Sequence, residues 1–301
     1  MRSRYALLAI ALAAATTISL TGCVDNSTPA PGDTAPAASS AAPGVDAAAV
    51  ALLPDEIKTA GKLIIGIDPN YAPNEYKDDA GNPIGWDVEL ADAMAAKLGL
   101  DTEYQPSSFD KIIPSITGGT YDIGVSSFTD NVEREKAVDF VNYFTAGVQW
   151  AQPIGKTVDP ANACGLTVSV QATTYEETDE LPAKSKECTD AGKKAITILK
   201  FDKQDDATSA VATGRADAMS ADSPITLYAI SKLKDKIEPA GESFEDAPYG
   251  IAVKKGSELS KALQAALQSM VDDGSYMKIL EKWGVENGAI DEITINAASK
   301  G

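Results

Sequence analysis

The sequence predicts an α/β fold built on a largely parallel sheet. Short runs of apolar and β-branched residues alternate along the chain with stretches of helical period. The 301 residues are 44% apolar, enough to bury a substantial core. Small polar, aromatic or charged residues follow several of the strand candidates directly, where an open α/β sheet places its ligands.

The elements are placed in order. Arg2 and Arg4 precede an apolar stretch, Ala6 to Leu20, of signal-peptide length and short for a membrane span. It ends in Leu20-Thr21-Gly22-Cys23, which resembles a bacterial lipobox. In such signals residues 1–22 are cleaved off and Cys23 becomes an acylated first residue, whose chains anchor at roughly 0.8 kcal/mol per buried methylene. Residues 23–50 are rich in Ala, Pro, Ser, Thr and Gly and read as a disordered tether. The folded part is expected from about residue 51. Leu63–Ile67 is the first strand. Asp78 to Pro83 is a turn between two short extended pieces, and its acidic spacing does not match an EF-hand. Val88–Leu98 is a helix, with Ala91, Met94, Ala95 and Leu98 on one face and Gly99 as its stop. Tyr121–Val125, Leu166–Val170 and Ala216–Ser220 are further strands. Ser257 opens a helix with the stripe Leu259, Leu263, Ala266, Leu267 and Met270, stopped near Gly274, and Tyr276–Trp283 is the last helix.

Composition excludes several functions. A formal charge of −18 argues against a nucleic-acid partner, which needs Lys and Arg stripes. Histidine is absent, which removes Ser-His-Asp and Cys-His triads and HExxH zinc sites. There is no G-x-x-x-x-G-K loop and no GxGxxG fingerprint, and neither cofactor nor metal is expected. With Cys23 assigned to the lipid, Cys164 and Cys188 remain. In an exported protein they are most simply a disulfide, since a redox pair would have CxxC spacing.

Polar groups cluster after four strand candidates: Asp68 and Tyr71; Ser126, Ser127, Thr129 and then Arg134; Gln171, Thr173 and Thr174; and Asp222. The set suits a zwitterion. Arg134 can grip a carboxylate with two parallel hydrogen bonds. Backbone N–H groups near Ser127 and Thr129, at an expected helix start, would add donors. Asp222 offers a carboxylate to an ammonium, and Tyr71 and Phe109 are faces that could sandwich a side chain. The plainer readings are a surface ion pair of Arg134 with Glu133 or Glu135, and core packing for the two aromatics.

At these residues the chain resembles the family 3 solute-binding proteins of polar amino-acid ABC importers. LIIGIDPNYAPNEYKDDAGNPIGWDVELADAMAAKLGL, FDKIIPSITGGTYDIGVSSFTDNVEREKAVDF, VSVQATTYEE and GRADAMSADS match its segments in order, over about Leu52 to Trp283. The resemblance implies a two-lobed periplasmic-binding-protein-like fold with two crossing strands, near Gly147–Pro153 and Glu245–Ile251. One lobe would comprise residues 51–147 and 248–290, the other 148–247, with the disulfide wholly inside the second. It implies carboxylate binding by Arg134 with Ser127 and Thr129, ammonium binding by Asp222 with Ser126, and a second-lobe contact from Thr174. It further implies a binding protein that is not an enzyme: a monomer held outside the cell membrane, closing on its ligand and docking on a permease.

The chain departs from the pattern at Asn74, where many members have Phe, and at Ser127, where many have Gly. Asn74 leaves the side-chain pocket open, as do Glu75 and Asp130. Asp68 and Tyr71 stand where the cationic-amino-acid binders contact the side chain, which with Phe109 favours arginine, lysine or ornithine over glutamine. The competing classes are an amino-acid sensor module and a prephenate or arogenate dehydratase on the same fold.

Overall fold

The computed structural model describes residues 44–300. The signal segment, the acylation site Cys23 and most of the expected tether lie outside the described residues. No helix among the described residues is long and apolar enough to cross a membrane.

The folded part begins earlier than residue 51. Asp46 caps a short helix, α1 (Ala47–Ala51), its carboxylate accepting from the N–H groups of Ala48 and Ala49 at 2.9 and 3.0 Å. Ala49 is fully buried in the largest apolar cluster. An alanine-rich segment looks featureless in sequence; one cap and one buried methyl group hold it here.

α2 (Asp55–Ala60) ends at Gly61 in the left-handed region and leads into β1 (Lys62–Ile67). The expected turn joins β2 (Tyr76–Lys77) to β3 (Pro83–Ile84), with Asp78 accepting from the N–H groups of Ala80 and Asn82. α3 (Trp86–Lys97), β4 (Asp101–Pro106), α4 (Phe109–Thr117) and β5 (Ile123–Thr129) follow. β1 pairs in parallel with β4 on one side and β5 on the other. Further along lie β6 (Val138–Pro153), β7 (Thr167–Gln171), α5 (Leu181–Asp190), β8 (Thr197–Phe201), α6 (Gln204–Ala212), β9 (Ala218–Asp222) and α7 (Ser223–Lys232). β7 pairs in parallel with β8 and β9. β10 (Ile237–Lys254), α8 (Leu259–Asp272), α9 (Ser275–Trp283) and β11 (Thr294–Ile295) complete the chain.

The sheet order is β4-β1-β5-β10-β6-β9-β7-β8, with β11 on β6. β10 and β6 run antiparallel along their whole length, from Ile237 opposite Pro153 to Lys254 opposite Val138. β5 joins one end of this ladder and β9 joins the other, so two lobes hang from a shared pair of strands. The register shifts around Phe244, between the two ends. There the chain passes close to Gly147: a Cβ on it would displace the side chains of Asp246 and Ser243 and meet the Phe244 carbonyl at 3.0 Å. One lobe packs α3, α8 and α9 around Trp86, Leu263 and Tyr276, and the other packs Trp150, Val168, Val170 and Leu181.

Two expectations are corrected. β5 begins two residues later than read and ends four later, so Ser126, Ser127 and Thr129 lie on the strand and no helix starts there. Every β5 residue is buried, so the strand shows no alternation, and its polar end looks like a loop. The next helical piece is the single turn Arg134–Lys136, too short for an N-terminal anion site. Arg134 also forms no pair with Glu133, which salt-bridges Lys136 instead.

Cys164 and Cys188 form a disulfide that ties the loop before β7 to α5. It closes a 24-residue separation within one lobe. Cys164→Ala/Cys188→Ala should lower unfolding free energy by about 3 kcal/mol, measured by urea denaturation.

Candidate ligand-binding cleft

Every binding residue read from the sequence lines one constricted cavity between the lobes. Asp68, Tyr71, Phe109, Ser126, Ser127, Thr129 and Arg134 come from the first lobe, and Thr174 and Asp222 from the second. Three more line it: Glu75, Gln171 and Tyr175. Most sit at carboxyl ends of parallel strands, where side chains leave the sheet without a neighbouring strand above them. Asp68 follows β1, Ser126 to Thr129 end β5, Gln171 ends β7 and Asp222 ends β9.

Arg134 is half-buried, and its guanidinium donates to the carbonyls of Thr129 at 2.7 Å and Thr173 at 2.9 Å. It lies over the rings of Phe109 and Phe128, at 5.5 and 6.0 Å from their centroids. Two of its five N–H donors are thus spent on carbonyls, and the rest of the fork is available to an anion. Burial pulls its pKa below the ordinary value, while the charges of Glu176 and Asp222 oppose that. Thr173 holds its accepting carbonyl through a left-handed backbone, φ +66°, a strained conformation for a β-branched residue.

Direct hydrogen bonds join the lobes across the cavity. The Tyr71 hydroxyl donates to Asp222 Oδ2 at 2.6 Å, and Gln171 Nε2 donates to Asp68 Oδ2 at 2.8 Å. Tyr71 therefore does more than present a face: its ring joins Ala151, Met219, Ala221 and Ile225 in the second lobe's apolar cluster. Phe109 stacks on Phe128 at 4.6 Å while lining the cavity. Core packing and cavity lining, posed as alternatives by the sequence, hold together for both aromatics.

Behind the cavity wall lies a buried acid network. Glu75 contacts the hydroxyls of Ser126 at 3.1 Å and Ser127 at 3.0 Å. Asp87 Oδ2 accepts from the Ser127 N–H and the Tyr143 hydroxyl, and also meets the Ser127 hydroxyl at 3.0 Å. Burial, reinforced by Asp87, pushes the Glu75 carboxyl well above its usual range, and burial raises Asp87 to about 6. Ser127 is at φ +48°, which glycine would adopt without strain; the hydroxyl is what serine adds there.

The three residues left open by sequence are now placed. Glu75 lines the cavity. Asn74 is buried behind Ser127, accepting from Trp86 Nε1 at 2.7 Å and donating to Ser127 Oγ at 2.8 Å. Asp130 faces away, bonded to Asn142 Nδ2 and the N–H of Ala297. Gln171 was visible as a polar residue after a strand. Glu75, Asp87 and Tyr175 carry no local signal, because their roles come from long-range contacts.

A two-lobed α/β protein with a polar cavity lined by one guanidinium and several carboxyl groups is, by class, a solute-binding protein. Residues 63–286 match the bacterial extracellular solute-binding proteins, family 3, and the chain belongs to that family of extracytoplasmic proteins; its close relatives are binding proteins, not enzymes. It is 43% identical over 248 residues to the arginine-binding protein ArgT of Corynebacterium glutamicum, covering 82% of each. It is 29% identical over 242 residues to the glutamine-binding protein GlnH of Bacillus subtilis, covering 77% of this chain and 85% of that one. An ancestral arginine-binding protein solved with arginine has a TM-score of 0.68 at 35% identity, covering 74% of this chain and 98% of that one.

Buried acids set a pH dependence. Burial raises Asp87 and Asp130 to about 6 and Glu180 to about 7, all above the unfolded range near 4. The folded state thus binds these protons more tightly, and their contribution is full near pH 4 and lost as pH rises through 6 to 7. Asp273, held near 2 by Lys97, works in the opposite sense only below pH 4. Without ligand, urea denaturation should show the protein about 2–4 kcal/mol more stable at pH 5 than at pH 8.

Proposed function

We propose that the chain is the substrate-binding lipoprotein of an ABC importer, anchored through Cys23, which captures a cationic amino acid: arginine, lysine or ornithine. The charge inventory of the cavity carries this reading. One guanidinium, Arg134, faces three carboxyl groups, Asp68, Glu75 and Asp222. An α-carboxylate takes Arg134, with Ser127 and Thr129 beside it, and an α-ammonium takes Asp222, with Ser126 and Thr174 nearby. That leaves Asp68 and Glu75 for the side chain, where a cation is stabilised and a glutamate is repelled. The 43% identical relative, an arginine-binding protein, supports the same choice.

In this reading one lobe comprises roughly residues 46–147 and 248–300 and the other 148–247, and they close about the crossing strands near Gly147 and Glu245. A ligand drives closure only through contacts it gains in the closed form, so its bridge from Arg134 to Asp222 is the driving interaction. The closed lobes then dock on a membrane permease.

Glutamine is the second reading. The same ancestral protein has also been solved with glutamine, and the Gln171 amide lines the cavity.

A thermal-shift screen of the full chain against the twenty amino acids, ornithine and citrulline tests the proposal. A ligand at 100 times its Kd adds about 2.7 kcal/mol. Shifts confined to arginine, lysine or ornithine support the cationic reading; a glutamine shift alone replaces it; no shift at all rejects an amino-acid ligand. Arg134→Ala should abolish binding of every amino acid with the fold intact, and unchanged affinity would remove the assigned carboxylate site. Asp68→Asn should weaken arginine by about tenfold or more and glutamine far less, as loss of a charge-assisted contact implies. Equal losses in a titration would reject the side-chain role of Asp68.

A further inference from the structure

The hydrogen bonds around Ser127 contain one proton too few for two ionised carboxylates. Trp86 Nε1 can only donate, so Asn74 turns its oxygen to Trp86 and its Nδ2 to Ser127. Ser127 Oγ therefore accepts from Asn74 and has a single proton of its own. Yet it lies 3.0 Å from both Glu75 Oε2 and Asp87 Oδ2. One of the two contacts must be made by a carboxylic-acid proton. Asp87 Oδ2 already accepts from the Ser127 N–H and the Tyr143 hydroxyl, as a carboxylate does. Ser126 Oγ accepts from the Asp68 N–H and has its own proton free for Glu75 Oε1 at 3.1 Å, as for the carbonyl oxygen of a neutral acid. The proton resides on Glu75 Oε2, and the pair carries one negative charge.

We propose that Glu75 discriminates a cationic from a neutral ligand side chain, and that it surrenders this proton when the cation arrives. The inference rests on the amino-acid reading of the cavity given above. The Glu75 O–H bond breaks, the proton passes to solvent water, and the resulting carboxylate pairs with the ligand's guanidinium or ammonium, which keeps its own protons. The charge buried at the pair and its ligand is −1 before and after, so no net charge is added to a site that water has left. A neutral amide gives no such compensation, and Glu75 stays protonated beside it. The titratable groups facing Glu75 are Asp68 at the end of β1, Asp87 on α3 and Tyr143 on β6, with Arg134 and Asp222 lining the same cavity. Asp68 and Asp87 both oppose ionisation of Glu75, so the incoming cation is the group that allows it.

The test is calorimetric titration of the full chain at pH 7 with arginine, and separately with glutamine, in two buffers of different ionisation heat. About one proton should be released per arginine bound and none per glutamine. Arginine affinity should rise by up to about tenfold per pH unit between pH 5 and 7, as one-proton linkage requires. Glu75→Gln is isosteric with the neutral acid and keeps both serine contacts. It should abolish the proton release and the pH dependence and cost arginine about tenfold or more, with glutamine nearly unaffected. Arginine binding without proton release overturns the proposal, as does a Glu75→Gln protein that binds arginine as the parent does. If only neutral amino acids bind, this inference fails while the amino-acid reading stands; if none binds, both fail.

Discussion

The antiparallel ladder of β6 and β10 is the constraint on which the rest depends. Each strand serves both lobes, so neither parallel sheet is complete without it: β5 needs one end of the ladder and β9 the other. The backbone groups at its centre must stay hydrogen-bonded while the register slips, and the irregularity around Phe244 and Glu245 absorbs that slip. Close approach there brings the Phe244 carbonyl within 3.0 Å of where a Cβ on Gly147 would lie. Strands that cross twice place the carboxyl ends of both parallel sheets on one cleft, and that alone brings Arg134 and Asp222, 88 positions apart by number, to the same cavity.

Burying ionisable groups in such a cleft is costly unless each finds a partner. Arg134 is held by two carbonyls and two aromatic faces, Asp222 by the Tyr71 hydroxyl, and Asp68 by the amides of Asn70 and Gln171. Three of these contacts span the lobes, Arg134 to Thr173, Tyr71 to Asp222 and Gln171 to Asp68, so satisfying the charges and closing the cleft are one event. Glu75 and Asp87 have no cation among their hydrogen-bond partners, and burial raises both carboxyls, which favours a retained proton. In the proposed reading, Arg134 and Asp222 hold the amino acid's own charges, and Asp68 and Glu75 face its side chain.

Two of the four non-glycine residues at positive φ among the described residues lie at the cleft. Ser127 and Thr173, both at positive φ, carry the hydroxyl that links the two acids and the carbonyl that holds Arg134. Each such conformation costs about 1–3 kcal/mol, and the surrounding hydrogen bonds over-determine it. Burial decides the acid equilibria as well, since it is the first cause of the upward shifts of Glu75, Asp87 and Glu180.

The sequence by itself determined the α/β class, the helix α3 with its glycine stop, the turn at Asp78, the pairing left to Cys164 and Cys188, and the residues at strand ends that form the cleft. These are local: periodicity, caps and turns act over a few residues, and polar groups that end a parallel strand point to the cleft wherever the lobes meet. It misplaced the end of β5 because a strand buried on both faces shows no alternation, and it missed α1 because one buried alanine carries no periodic signal. Only the tertiary structure decided that Tyr71 belongs to the opposite lobe's core, that Asp130 faces away, and that Asn74, Ser127, Glu75 and Asp87 share one hydrogen-bond network. Those facts depend on contacts between residues up to 151 positions apart, such as Tyr71 with Asp222, and on how many protons a closed set of donors and acceptors can hold.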